Sequence, residues 1–145
     1  MGTINKIYLI DTNTISELSK RFPNPKVYSN FEAKYNFCNI GAQTCFELEK
    51  GLEMMPEGRK KEELRLFLFD YVREDFPIIP YDSFAASINA KIYATLSKHG
   101  KTPSLLDSQL ASIAIANNLI LVTRNTKDFE AIQEEFNLNV ENWFE

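Results

Sequence analysis

The sequence is short of the residues on which many enzymes are built. Its 145 residues include one histidine, two cysteines, one tryptophan and five glycines. A single histidine, His99, excludes paired-histidine zinc spacings and leaves a Ser-His hydrolase little support. Flanked by Gly100 and Lys101, it reads as a solvent-facing loop residue. The five glycines form no phosphate-cradling loop. No apolar run approaches the roughly 18 residues of a membrane span. Ile7-Tyr8-Leu9-Ile10 gives only four apolar residues before Asp11, so no secretory signal is expected, and the cytoplasm is. In that compartment Cys38 and Cys45 read as reduced thiols, and Cys45 as a small core residue. An excess of basic charge is also lacking: the formal net charge is −4, which argues against a generic coat for nucleic acid. An enzyme that reaches phosphates through a metal stays open.

What is there fits one globular domain over residues 1–145, with 44% hydrophobic and 25% charged residues. Lys6 to Ile10 and Ile120 to Val122 read as buried parallel strands, because both are short apolar runs without alternation. Phe37 to Ile40 and Pro77 to Ile79 are further strand candidates, and Leu138 and Val140 alternate with polar residues near Trp143. Helical stripes run through Cys45, Leu48, Leu52 and Met55, and through Leu64, Phe67, Leu68, Tyr71 and Val72. Two more run through Ile88, Ile92, Tyr93 and Leu96, and through Leu106, Leu110, Ile113 and Asn117. Strands alternating with helices predict an α/β fold with a mostly parallel central sheet. Ligands of such sheets sit beyond the carboxyl ends of the strands, which directs attention to the residues after Ile10 and Val122.

Asp11 follows the first strand, and Glu47, Asp107 and Asp128 each stand three residues after Thr44, Ser104 and Asn125. That spacing, shared by Thr14 and Glu17, is the capping-box spacing or close to it, so each acid taken singly reads as a helix-start residue. Taken together they admit another reading. An acid at the mouth of a buried strand is costly unless a cation or several donors satisfy it. If the helix starts open onto the same sheet edge, the acids meet there, and their repulsion is relieved by a divalent cation. Such a cluster suits metal-assisted phosphodiester hydrolysis, in which the metal activates and aligns a water. Spacing alone leaves both readings open.

In order along the chain, Tyr8-Leu9-Ile10-Asp11-Thr12-Asn13-Thr14-Ile15-Ser16-Glu17, Thr44-Cys45-Phe46-Glu47-Leu48-Glu49-Lys50-Gly51, Leu106-Asp107-Ser108-Gln109-Leu110-Ala111-Ser112-Ile113-Ala114 and Leu121-Val122-Thr123-Arg124-Asn125-Thr126-Lys127-Asp128-Phe129 resemble the four motifs of PIN-domain ribonucleases. With the ending Val140-Glu141-Asn142-Trp143, they resemble in particular the VapC toxins and their FitB-like branch. The resemblance implies a three-layer PIN-like fold whose sheet of about four to five strands is flanked by helices. It implies that Asp11, Glu47 and Asp107 hold Mg²⁺ or Mn²⁺. Asn125 stands where the family often has a fourth acid, and Asp128 follows one helical turn later. Asn13 and Thr123 are implied to orient waters or carboxylates, although Asn13 also reads as a cap and Thr123 as a strand end. Arg124 and Lys127, flanking the fourth motif, are implied RNA contacts, with Arg59, Lys60, Lys61, Lys98 and Lys101 as further sources of positive charge.

The implied activity is cleavage of RNA, often transfer RNA, leaving a 3′ hydroxyl and a 5′ phosphate. The implied partners are a VapB/FitA-like antitoxin, operator DNA reached only through that antitoxin, and a second copy in a homodimer. No membrane is implied. Leu66 and Phe69 make a second apolar side on the helix expected from Lys60 to Arg73, which suits either a partner contact or burial from both sides. Two rival functions stay open: a PIN-fold binding module without turnover, kept alive by Asn125, and an aspartyl-phosphate phosphotransferase built on Asp11. The second lacks an acid at Asn13 and a phosphate-binding lysine motif.

Overall fold

A computed structural model describes residues 7–145. Five strands form one sheet in the order β3-β2-β1-β4-β5, with every pairing parallel. They are β1 (Tyr8–Ile10), β2 (Cys38–Gly41), β3 (Ile78–Ile79), β4 (Ile120–Val122) and β5 (Asn139–Glu141). All five expected strands are present with slightly shifted ends; Lys6 lies outside the described residues.

The helices are α1 (Thr12–Glu17), α2 (Pro25–Lys34), α3 (Ala42–Glu53), α4 (Arg59–Leu66), α5 (Arg73–Asp75), α6 (Ser83–Lys98), α7 (Leu105–Ala116) and α8 (Glu130–Glu135). Neighbouring residues of each central strand face opposite ways. Leu9 and Leu121 pack with Ile92, Leu110 and Ile113 of α6 and α7. Ile10 and Val122 pack with Val27, Phe31, Leu48 and Leu52 of α2 and α3. Two apolar cores on the two sheet faces give the expected three layers.

The stripe from Leu64 to Val72 does not form one α-helix. Between α4 and α5 the segment Phe67–Val72 is π-helical, which widens the turn while Leu68 and Val72 stay buried. Leu66 and Phe69 fall on the outside, 51% and 37% exposed, so burial from both sides does not hold for them. Trp143 closes the chain's end, edge-on to Phe31 and Tyr8 at 5.2 and 5.3 Å between ring centres.

Candidate active site

From β1 the chain proceeds outward to β2 and β3, then returns to lay β4 and β5 on the other side of β1. The order therefore reverses between β1 and β4, and a crevice opens there beyond their carboxyl ends. Ile10 pairs with Val122, and the Asp11 backbone N–H donates to the Val122 carbonyl at 2.8 Å. Asp11 is thus the first residue past the sheet, and Thr123 is its neighbour.

Asp11 caps α1: its Oδ1 accepts from the Thr12 N–H at 2.7 Å. Its Oδ2 accepts from Thr123 Oγ1 at 2.8 Å and, at the 3.5 Å limit, from Asn13 Nδ2. The residue is only 8% exposed. Burial pushes its carboxyl up to about 6, and the charges of Glu47 and Asp107 add to that rise. The bonds from Thr123 and Thr12 act against it.

Glu47 does not start a helix. Gly41 caps α3, and Thr44 lies inside the helix, donating to Gln43 Oε1 at 3.3 Å. The capping reading of Thr44 and Glu47 therefore fails. One carboxylate oxygen of Glu47, Oε1, accepts from Thr12 Oγ1 at 2.9 Å and from Gln43 Nε2 at 2.7 Å. Asp107 does stand at a helix start: Ser104 caps α7, its Oγ accepting from the Asp107 N–H at 3.2 Å, and Asp107 is the acid of the first turn. Its carboxyl is held above the ordinary range by burial and by the charges of Asp128 and Glu47, with Ser104 opposing.

Asp128 lies exposed on a single 3₁₀ turn, Thr126–Phe129, and shares with Asp107, Lys101 and Ser104 a cavity of about 290 Å³. Asn125 is exposed beside it. Its N–H donates to Thr123 Oγ1 at 3.1 Å and its carbonyl accepts from the Asp128 N–H, but its side chain makes no cap bond. Asp11 feels Glu47 and Asp107, and Asp107 feels Glu47 and Asp128. Asp11, Glu47 and Asp107 thus lie within charge–charge reach of one another, and Asp128 lies beside Asp107.

The donor set suits a hard divalent cation. It consists of carboxylate oxygens in mutual repulsion, flanked by hydroxyls and amides. Among the described residues, no three His, Cys, Asp or Glu side chains form a group that could hold a metal ion by themselves. An ion held here would draw on one or two carboxylates and complete its shell with waters. Thiol chemistry is not served here: burial pushes Cys38 up to about 12 and raises Cys45 as well. His99 ends α6 and points its Nδ1 at Glu135, 2.9 Å away.

Arg124 and Lys127 are exposed beside the crevice. Of the other basic residues, Lys61 is buried against Glu57 at 2.8 Å, which takes it from any RNA surface. Arg59 pairs with Glu63 and Lys101 with Glu134. Sequence reasoning missed Thr12 and Gln43, the two donors to Glu47. Gln43 and Glu47 stand four apart on one helix, and that spacing was the available signal.

The PIN domain family profile matches residues 8–135, and the chain belongs to that family. Within it, the chain's relatives include VapC and FitB proteins. Toxin FitB of Neisseria gonorrhoeae is 32% identical over 85% of this chain and 91% of its own length. Ribonuclease VapC2 of Rickettsia felis is 32% identical over 94% and 98%. The tRNA(fMet)-specific endonuclease VapC of Shigella flexneri is 28% identical over 94% and 97%. The crystal structure of FitAcB from Neisseria gonorrhoeae superposes with a TM-score of 0.85 at 30% identity, over 95% of this chain and 99% of that one. VapBC2 from Rickettsia felis, bound to a DNA fragment from its promoter, superposes at 0.79 with 27% identity, over 94% and 98%.

Proposed function

We propose that the chain, acting as one unit over residues 1–145, is a divalent-metal-dependent endoribonuclease and the toxin of a type II toxin–antitoxin pair in the cytoplasm. The observation that carries this reading is that Thr12 bridges Asp11 and Glu47 at the end of β1, with Asp107 within charge–charge reach of both and Asp128 beside Asp107. Asp11, Glu47 and Asp107 are the residues that would hold Mg²⁺ or Mn²⁺, which supplies an activated water and offsets charge on the cleaved phosphate.

The chain's own residues prepare the site. Thr123 and Thr12 fix both oxygens of Asp11. Thr12 and Gln43 hold Oε1 of Glu47 and leave its other oxygen to the crevice. Asp128 serves as the fourth acid, with Asn125 giving an uncharged amide beside it. The substrate class is RNA, with transfer RNA favoured because one relative is a tRNA-specific endonuclease. The products are a 3′ hydroxyl and a 5′ phosphate.

The partner reading rests on the exposed apolar residues Phe22, Met54, Leu66 and Phe69. A groove of about 340 Å³ is lined by Ser19, Met55, Lys60, Glu63, Leu64 and Phe67. A VapB/FitA-like antitoxin segment would lie in it, and would carry the complex to operator DNA as a homodimer of this chain. The promoter-bound VapBC2 relative supports the operator-DNA part of that reading.

Induced expression of the chain in a bacterial host tests the reading. Growth arrest with discrete RNA fragments in the wild type, both absent with Asp107→Asn, supports it. Arrest that persists unchanged in Asp107→Asn sinks the nuclease and favours a binding module.

A further inference from the structure

The acid crevice repels the backbone it is proposed to cut, and the chain as a whole carries a net charge of −4. Binding RNA therefore demands cations fixed close to the acids. Arg124 meets that demand in a way no other basic side chain of the described residues does.

Its position is tied to Asp11 through Asn13. The Arg124 N–H donates to Asn13 Oδ1 at 3.1 Å, and Asn13 Nδ2 reaches Asp11 Oδ2 at 3.5 Å. A second tie runs through Thr123, whose Oγ1 donates to Asp11 and accepts from the Asn125 N–H. The guanidinium lies over the Phe144 ring at 4.5 Å, the shortest cation–π contact among the described residues. Phe144 is itself anchored: its N–H donates to Asn142 Oδ1 at 2.9 Å, and the preceding Trp143 is buried.

Among the described residues Arg124 forms no ion pair. The nearby Glu17 lies within Coulombic reach, but its oxygens are engaged by Lys20 at 2.9 Å and the Asn24 N–H at 2.7 Å. Beside Arg124 is a cavity of about 360 Å³, lined also by Asn125, Lys127, Asp128, Asn142 and Glu145. Asp128 also lines the cavity of Asp107, so the two spaces meet at that residue. Asp128 and Glu145 are the opposing charges in the lining of the Arg124 cavity.

We infer that Arg124 takes the RNA backbone phosphate next to the one that is cut, with Lys127 beside it and with Phe144 and Asn13 as positioning residues. A planar guanidinium held on an aromatic face loses little freedom when it binds a phosphate through two N–H donors. This subsite rests on the nuclease reading, and it sets which phosphate reaches the acids.

The test is binding rather than turnover. A short fluorescein-labelled single-stranded RNA is titrated by anisotropy into Asp107→Asn protein across a range of salt. Arg124→Ala on that background is expected to weaken binding about tenfold and to lower the salt slope by about 0.7, the share of one single-strand phosphate contact. Arg124→Lys keeps the slope and recovers part of the affinity. Phe144→Leu weakens binding with the slope unchanged. Lys26→Ala, an exposed charge on α2, controls for net charge and leaves the slope alone. Equal affinity and slope for Arg124→Ala and its parent overturn the subsite, as does the absence of any RNA binding. Arg124-dependent binding by a wild type that cuts no RNA retains the subsite and overturns the nuclease reading instead.

Discussion

The Thr123 hydroxyl donates to the Asp11 carboxylate at 2.8 Å, across 112 residues of sequence. That bond joins the ends of the two central strands and fixes the most buried acid of the crevice. Thr123 is fully buried, so nothing else in its surroundings replaces the donor if it is lost.

Thr123→Val keeps the shape and removes the hydroxyl. Partners of metal-holding carboxylates typically contribute 10–100-fold to activity. The variant is expected to lose RNA cleavage by about that factor in kcat, with RNA affinity close to that of the wild type. Steady-state kinetics on one RNA substrate separate the two terms. An unchanged kcat contradicts the positioning role.

Asp11 also makes stability depend on pH. Its carboxyl is raised from 3.8 to about 6, so the folded chain binds that proton more tightly than the unfolded chain. With metal chelated, stability should fall as pH rises from about 4 to about 6, by roughly 3 kcal/mol from this group. Asp107 adds to the fall, since it is raised too; Glu17, lowered mainly by its bond to Lys20, works in the opposite sense. Asp11→Asn keeps a good helix cap and removes the titration. Its Tm advantage over the wild type should grow across that window. Parallel Tm curves would contradict the assignment.

Glu47 is held through one oxygen by two donors, Thr12 and Gln43. Removing either hydrogen bond leaves the other, so Thr12→Val and Gln43→Leu should each reduce cleavage by only a few-fold. The double variant should lose more than the product of the singles, because shared partners are not additive. Strict additivity in a double-mutant cycle rules out a joint role.

Leu66 and Phe69 are exposed apolar residues assigned to the antitoxin contact. Phe69 is 37% exposed, so Phe69→Asp is expected to cost clearly less than the roughly 3–5 kcal/mol of truncating a core phenylalanine. It should nonetheless abolish copurification with the coexpressed antitoxin. A Tm drop of the size seen for core substitutions would mean that Phe69 belongs to the interior.

Much of this fold is legible in the chain's patterning. The runs at Leu9-Ile10 and Leu121-Val122 are apolar at every position because both sheet faces are covered, and all five strands follow from such local signals. Asp11 was legible as a candidate because a carboxylate at the mouth of a buried strand is costly unless satisfied, whereas Glu47, Asp107 and Asp128 stood out only through the resemblance of their motifs. The proximity of these acids was not legible, because it depends on β4 returning beside β1 rather than beyond β3. The π segment Phe67–Val72 was hidden too, since its apolar spacing also fits an α-helix. Lys61 illustrates the limit for charges. Its burial against Glu57 is set by tertiary packing that no charge count reveals.

The most direct measurement is cleavage of purified total tRNA by the free protein, with Mg²⁺, with Mn²⁺ and with excess EDTA, alongside Asp107→Asn. Discrete fragments that need the metal and vanish in the variant are the predicted result. Fragments that persist in EDTA, or that Asp107→Asn produces equally well, would contradict a metal-dependent nuclease built on Asp11, Glu47 and Asp107.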